Sequence, residues 1–190
     1  MSIRYGCPTI PRRFRSMLHE ERNLELGTGK ADGEIVERVL SARKPVGFVE
    51  ARDAHTAVGW ALRAIDRDLP CSYAPTRTEG VDLWVVSLAA GWSPVGELVD
   101  VPAAISDYRA WFGSERELLA DIERHLTHLA TRPLSSFIDF EAVEIWAFGS
   151  SPSPGEWAHC GLLLGYPLDA TAALIAVKEG IPGFSYESED

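Results

Sequence analysis

The sequence predicts one α+β domain: a small mixed sheet of about four strands, covered by helices and closed by a C-terminal helical hairpin. Three observations carry that prediction. Short runs rich in β-formers (VGFVEA, VDLWVVSLAA, FEAVEIWAFG) are interleaved with segments of helical period. No long linker, internal repeat or low-complexity tract divides the 190 residues. The stretch SPSPGEWAHCGLLLGYPLDATAALI, residues 151–175, contains two apolar helical runs parted by Gly165-Tyr166-Pro167.

Residues 1–30 keep no period and carry five Gly and Pro breakers, so they read as an extended basic arm, and residues 183–190 read as an acidic tail. The domain lies between them, at 31–182. Asp32 stands before EIVERVL, where Ile35, Val36, Val39 and Leu40 share a helical face, and Lys44-Pro45 stops the helix because a residue before proline leaves the helical region. A strand over 45–51 follows. Asp53 is placed to cap the helix AHTAVGWALRAIDRD, and two strands, 69–75 and 81–90, read as a hairpin. The first strand, this helix and the strand near Cys71 have the length of a compact βαβ unit. Residues 91–105 read as irregular. Helical period resumes in DYRAWF and SERELLADIERHLTHLA, with Ser114 and Glu117 spaced as a capping box. Residues 140–149 are the best strand, apolar on both faces. Ser153 and Glu156 form a second capping box, with Pro154 at the first helical position.

Charge and composition exclude several functions. The net charge is −10, but residues 1–30 carry six basic against three acidic side chains, so the remainder nets −13. A body this acidic repels phosphate backbones, which argues against nucleic acid. Only Pro11–Arg15 (PRRFR) offers an attraction for an acidic partner. No apolar run approaches the ~20 residues of a membrane span and no secretory signal pattern opens the chain, so a cytoplasmic location without membrane association is expected. The three cysteines, Cys7, Cys71 and Cys160, form no C-x-x-C and read as reduced. P-loop, G-x-G-x-x-G, G-x-S-x-G and kinase patterns do not occur.

Four groups of residues carry candidate chemistry. His159 and Cys160 are adjacent, and neighbours on a helix point about 100° apart, so they cannot pair with each other as base and nucleophile. Cys160 is expected in the core and His159 toward a pocket. His125 and His128, at i, i+3 on one helix face with Asp121 one turn before His125, have a spacing fit for a metal, but without an H-E-x-x-H pattern the simpler reading is a solvated or structural pair. Without a firm third ligand, no metal is assigned. Glu144, flanked by Trp146 and Phe148 on its strand, would be desolvated and its pKa raised, unless an arginine pairs it. The loop after that strand holds Ser150, Ser151 and Ser153 in front of a capped helix, a place suited to an anionic group, with Trp146 and Trp157 as walls.

Two of these stretches, VLSARKPVGFVEA (39–51) and HCGLLLGYPLDATAALI (159–175), resemble a bacterial family of uncharacterised proteins. In that family a lysine-proline segment precedes a short strand and a GLFLGYPLEDV-like motif lies near the end. Gly161, Gly165, Tyr166, Pro167, Leu168 and Asp169 fall where that motif has its counterparts, while His159 is offset by one residue. The resemblance implies a shared fold and no activity.

The sequence therefore points to a small-molecule-handling protein, with a pocket between the 140–149 strand and the C-terminal hairpin and with Glu144 and His159 as catalytic candidates. Ligand contacts are expected from Trp146, Ser150, Ser151, Ser153 and Trp157. One alternative is an interaction module that uses the basic arm and exposed tryptophans on a protein partner. A third is a metal-dependent enzyme built on His125 and His128. Whether the chain is an enzyme, which cofactor it uses and whether it forms homo-oligomers stay open at this level.

Overall fold

The computed structural model describes residues 30–78, 81–138 and 152–181. The first helix, α1 (Lys30–Leu40), is followed by a turn in which Ala42 takes φ +56°. That turn feeds β1 (Val46–Ala51). Asp32, read from sequence as standing before the helix, lies inside its first turn instead. Next comes α2 (Ala54–Ile65), capped as expected: the Asp53 carboxylate accepts from the Thr56 amide at 2.8 Å and from its hydroxyl at 2.9 Å. The hairpin strands are β2 (Cys71–Thr78) and β3 (Val81–Ala89).

The sheet order is β1-β3-β2, and both outer strands run antiparallel to β3. Among the described residues it is thus a three-stranded antiparallel sheet, where a mixed sheet of about four strands was expected. The fourth expected strand, 140–149, lies outside those residues. The βαβ reading holds in split form: β1 and β2 run parallel, both being antiparallel to β3, which is inserted between them. The cause is visible in β3 itself: Leu83, Val85, Val86, Leu88 and Ala89 are all buried, so this strand is apolar on both faces and takes the centre. Its tight hairpin with β2 then fills one side and leaves the other to β1.

The two faces of the sheet feed two cores. Val49, Ala51, Val86 and Leu88 pack with Val36 and Val39 of α1 and with Ala57, Ala61 and Ala64 of α2. Gly47 sets the distance of α1 from the sheet. A Cβ there would lie 2.8 Å from methyls of Ile35 and Val39, so only glycine permits the contact. Val46 and Ala89 belong to the larger core. That core joins them to α4 (Val101–Phe112), α5 (Arg116–Ala130), α6 (Pro154–Leu163) and α7 (Leu168–Lys178). Tyr108, Phe112, Ile122, Leu126, Leu129, Ala158 and Ile175 fill it.

The stretch 91–105 is more ordered than its composition suggests. It contains α3 (Val95–Leu98) and the start of α4, whose cap Asp100 accepts from the Ala103 amide at 2.9 Å, with Pro102 in the first turn. Ser114 does not cap α5; its hydroxyl donates to Glu115, which occupies the cap position without a side-chain cap bond. Pro133 ends this region as expected, leading into a 3₁₀ turn, Leu134–Phe137. The C-terminal hairpin forms as read. Gly165 turns it at φ +69°, and α7 is buried along Ala170–Ala176, as a helix apolar on all sides must be. No helix among the described residues is long and apolar enough to cross a membrane.

Candidate functional site

The densest polar junction among the described residues lies where α5 meets the N-terminus of α6, and Asp121 is its centre. One oxygen of its carboxylate, Oδ2, accepts from the Ser153 hydroxyl at 2.7 Å and from the Gly155 amide at 2.8 Å. The other, Oδ1, receives the Arg124 guanidinium. Ser153 in turn accepts from the Glu156 amide, and Glu156 accepts from the Ser153 amide at 2.6 Å, so the predicted capping box is complete. A carboxylate from another helix thus sits against the positive end of α6, where the first backbone amides have no partner within the helix. Burial raises the Asp121 carboxyl, but Ser153, Gly155, His125 and Arg124 together outweigh it and hold it below its ordinary value.

His125 completes the junction. Its Nδ1 lies 2.9 Å from the Asp121 main-chain carbonyl and 3.4 Å from the Asp121 carboxylate. A carbonyl only accepts, so this bond requires Nδ1–H, and a neutral ring then carries its lone pair on Nε2. The ring is a quarter exposed. Gly155 presses on it closely enough that a Cβ at that position would collide with Nδ1 and stand 2.6 Å from the Asp121 carbonyl. Helix spacing brings Asp121 and His125 together, since i and i+4 share a face. Gly155 is what lets α6 approach that face.

His159, expected toward a pocket, is instead interior. It is 1% exposed and meets Phe137 edge-on with ring centroids 5.8 Å apart. Burial, followed by the charges of Arg132, His125 and His128, lowers its pKa to about 3, so the ring stays neutral near pH 7. Cys160, expected in the core, is the partly exposed member of the pair; burial and Glu156 still push its thiol up to about 12. The expectation for His159 is therefore overturned, while Cys160 stays a largely buried, unactivated thiol. The physical reason is the position of α6: residue 159 faces α5 and the 3₁₀ turn, where Phe137 meets its ring. His128 is exposed on α5.

Of the other predicted site residues, Glu144, Trp146, Ser150 and Ser151 lie outside the described residues. Ser153 spends its hydroxyl on Asp121 and on its own helix. Trp157 is half-buried and bridges the main core to the cluster of Ala170, Ala173 and Leu174. His125, His128 and His159 are close enough for the first two to act electrically on the third, yet no three metal-ligating side chains among the described residues are gathered to hold an ion. The spacing of Asp121 and His125 was legible in sequence. The reach of Asp121 to α6, across more than thirty residues of chain, left no local signal.

The chain matches no protein-family model, no curated protein and no solved structure.

Proposed function

We propose that the protein handles a small molecule at the α5–α6 junction, with His125 as the residue that meets it. The supporting observation is the orientation of one ring: Nδ1–H is tied to the Asp121 carbonyl, the carboxylate stands behind it, and the ring edge reaches solvent. An imidazole held in one tautomer with a free Nε2 is suited to accept a proton or hydrogen bond from a hydroxyl or acidic C–H of a ligand. The neutral His159 adds no cationic ring to the neighbourhood at physiological pH.

The test is a thermal-shift screen of hydroxylated and carboxylated metabolites against wild type and His125→Asn. Compounds that raise the melting temperature of wild type and not of the variant support the site. Compounds that shift both equally place binding elsewhere and overturn the role of His125.

A second reading, an interaction module without chemistry, is favoured by one surface. Trp92 is 57% exposed yet pinned by its indole N–H, which donates to the Asp68 carbonyl at 2.7 Å; Leu62 and Ile65, 51% and 56% exposed, stand one turn apart on α2. An exposed tryptophan held in one orientation is a typical anchor for a protein partner. Loss of a co-purifying partner on Trp92→Ala, with His125→Asn silent, would favour this reading over the first.

A further inference from the structure

The sheet has an edge that the α5–α6 junction does not use. β2 pairs with β3 on one side, and among the described residues no strand lies on its other side. The register fixes which of its main-chain groups face outward. Ala89 of β3 donates to the Pro70 carbonyl at 3.0 Å, and Cys71 stands opposite Leu88. Antiparallel pairs alternate, so Ser72 and Ala74 exchange bonds with β3, while the main-chain groups of Cys71, Tyr73 and Pro75 turn to the open edge. Pro75 has no N–H to offer, and the outward side is where an edge strand accommodates proline.

An apolar surface stands over that edge. The Cys71 thiol lies 3.6 Å from the Ala61 carbonyl, which sets β2 beneath α2. Tyr73 shares the face of Cys71, is 47% exposed, and meets Trp84 with ring centroids 6.1 Å apart. Ala57, Ala61 and Ala64 form the inner stripe of α2. At about 100° per residue, Arg63 leaves one flank of that stripe and reaches Glu37 of α1. Leu62 and Ile65 leave the opposite flank. α1 lies over β1, where Gly47 meets Ile35 and Val39, and β1 is the far strand of the sheet. The exposed Leu62 and Ile65 therefore overhang the β2 edge, on the same side of the sheet as Tyr73.

We propose that this edge is a homodimer interface, in which β2 pairs with the β2 of a second copy, antiparallel about a two-fold axis at Tyr73. In that register Tyr73 of each copy exchanges two main-chain bonds with Tyr73 of the other. Cys71 of each copy donates to the Pro75 carbonyl of the other, so every outward N–H of Cys71–Pro75 is used although Pro75 has none. Leu62 and Ile65 then face their own counterparts across the axis. Charge favours this occupant: Cys71–Pro75, Leu62 and Ile65 are uncharged in a chain of net −10, so two acidic copies meet here with little repulsion. Size sets the strength. Three half-exposed side chains and a short strand edge offer roughly 400–500 Å² per copy, below the ~800 Å² per partner of a standard interface, so the dimer is weak and reversible. The interface rests on the interaction reading above for Leu62 and Ile65, but not for Trp92.

Sedimentation velocity of the full chain tests this. Wild type should pass from monomer toward dimer between ~1 μM and ~1 mM. Tyr73→Pro removes the central outward N–H without touching a bond to β3, and Leu62→Glu sets a charge against its counterpart. Each should raise the dissociation constant about tenfold or more, with far-ultraviolet circular dichroism unchanged. A wild type that stays monomeric up to ~1 mM overturns the proposal, as does a dimer that both variants leave intact. A monomeric wild type that still holds a Trp92-dependent partner overturns it too, and leaves the interaction reading standing. Should Tyr73→Pro fail to fold, Leu62→Glu alone decides.

Discussion

The ammonium of Lys44 lies 5.6 Å from the centre of the Tyr166 ring, and Gly165 beside that ring stands against the Lys44 and Pro45 side chains. Lys44 is only 9% exposed. The lysine-proline and Gly-Tyr-Pro stretches, more than 110 residues apart in sequence, are therefore two halves of one contact, which ties the turn after α1 to the corner of the C-terminal hairpin. A partly desolvated cation over an aromatic face contributes about 1 kcal/mol. A double-mutant cycle of Lys44→Met and Tyr166→Leu should return a coupling of about that size, measured by urea unfolding. Additive effects would show that the two side chains stabilise the fold independently.

Gly155→Ala should be among the most damaging single-methyl changes in the chain. The added Cβ collides with His125 Nδ1 and the Asp121 carbonyl, and the latter is backbone that cannot swing aside. A loss of about 3 kcal/mol is expected, with partial recovery in Gly155→Ala/His125→Ala, because that pair removes the side-chain clash and leaves the backbone one. Thermal unfolding of the two variants checks the order.

Ser153→Ala removes both a helix cap and a donor to Asp121. It should cost about 1–2 kcal/mol at neutral pH. The penalty should shrink in acid, because Asp121 has a lowered pKa and its contribution is lost as pH falls through that value. Adding phosphate or sulfate should not stabilise wild type more than the variant, since the chain's own carboxylate already occupies the end of α6.

His159 makes a prediction about the acid limb of stability. It is neutral in the fold, with a pKa of about 3 against 6.5 for the free ring, so its contribution is complete above the free value and lost as pH falls below it. Between those two values wild type should lose up to about 1.4 kcal/mol per pH unit more than His159→Phe. Parallel stability-versus-pH curves for the two proteins would contradict the buried neutral ring.

Cys160 should react slowly with an alkylating reagent in the native protein and fast after denaturation, because the thiol is held near pKa 12 and almost no thiolate is present at neutral pH. Mass spectrometry of labelled peptides resolves it from the other cysteines. Rapid native labelling of Cys160 would mark it as an activated nucleophile.

Local chemistry determined much of this protein. The caps at Asp53 and Ser153, the breaks at Pro133 and Gly165, and the two helices of the C-terminal hairpin each depend on residues within a few positions of one another, so the sequence displays them directly. The α+β class followed from the same short-range periods. What the tertiary structure alone decided is where those pieces meet. β3 takes the centre of the sheet because it is apolar on both faces, a competition between strands that no one strand reveals. Ser114, well spaced for a capping box, loses it when α5 starts around Glu115, and Pro102 starts α4 in a stretch whose Gly and Pro content suggested a loop. His159 turns inward because the packing of α6 sets residue 159 against Phe137 of the 3₁₀ turn. Asp121, one polar residue on an amphipathic helix by sequence, becomes the partner of Ser153 and Gly155 only once α6 packs there. Contacts of that kind depend on elements distant in the chain being brought within 3 Å, and the energy that selects them is packing of the whole core rather than any local preference.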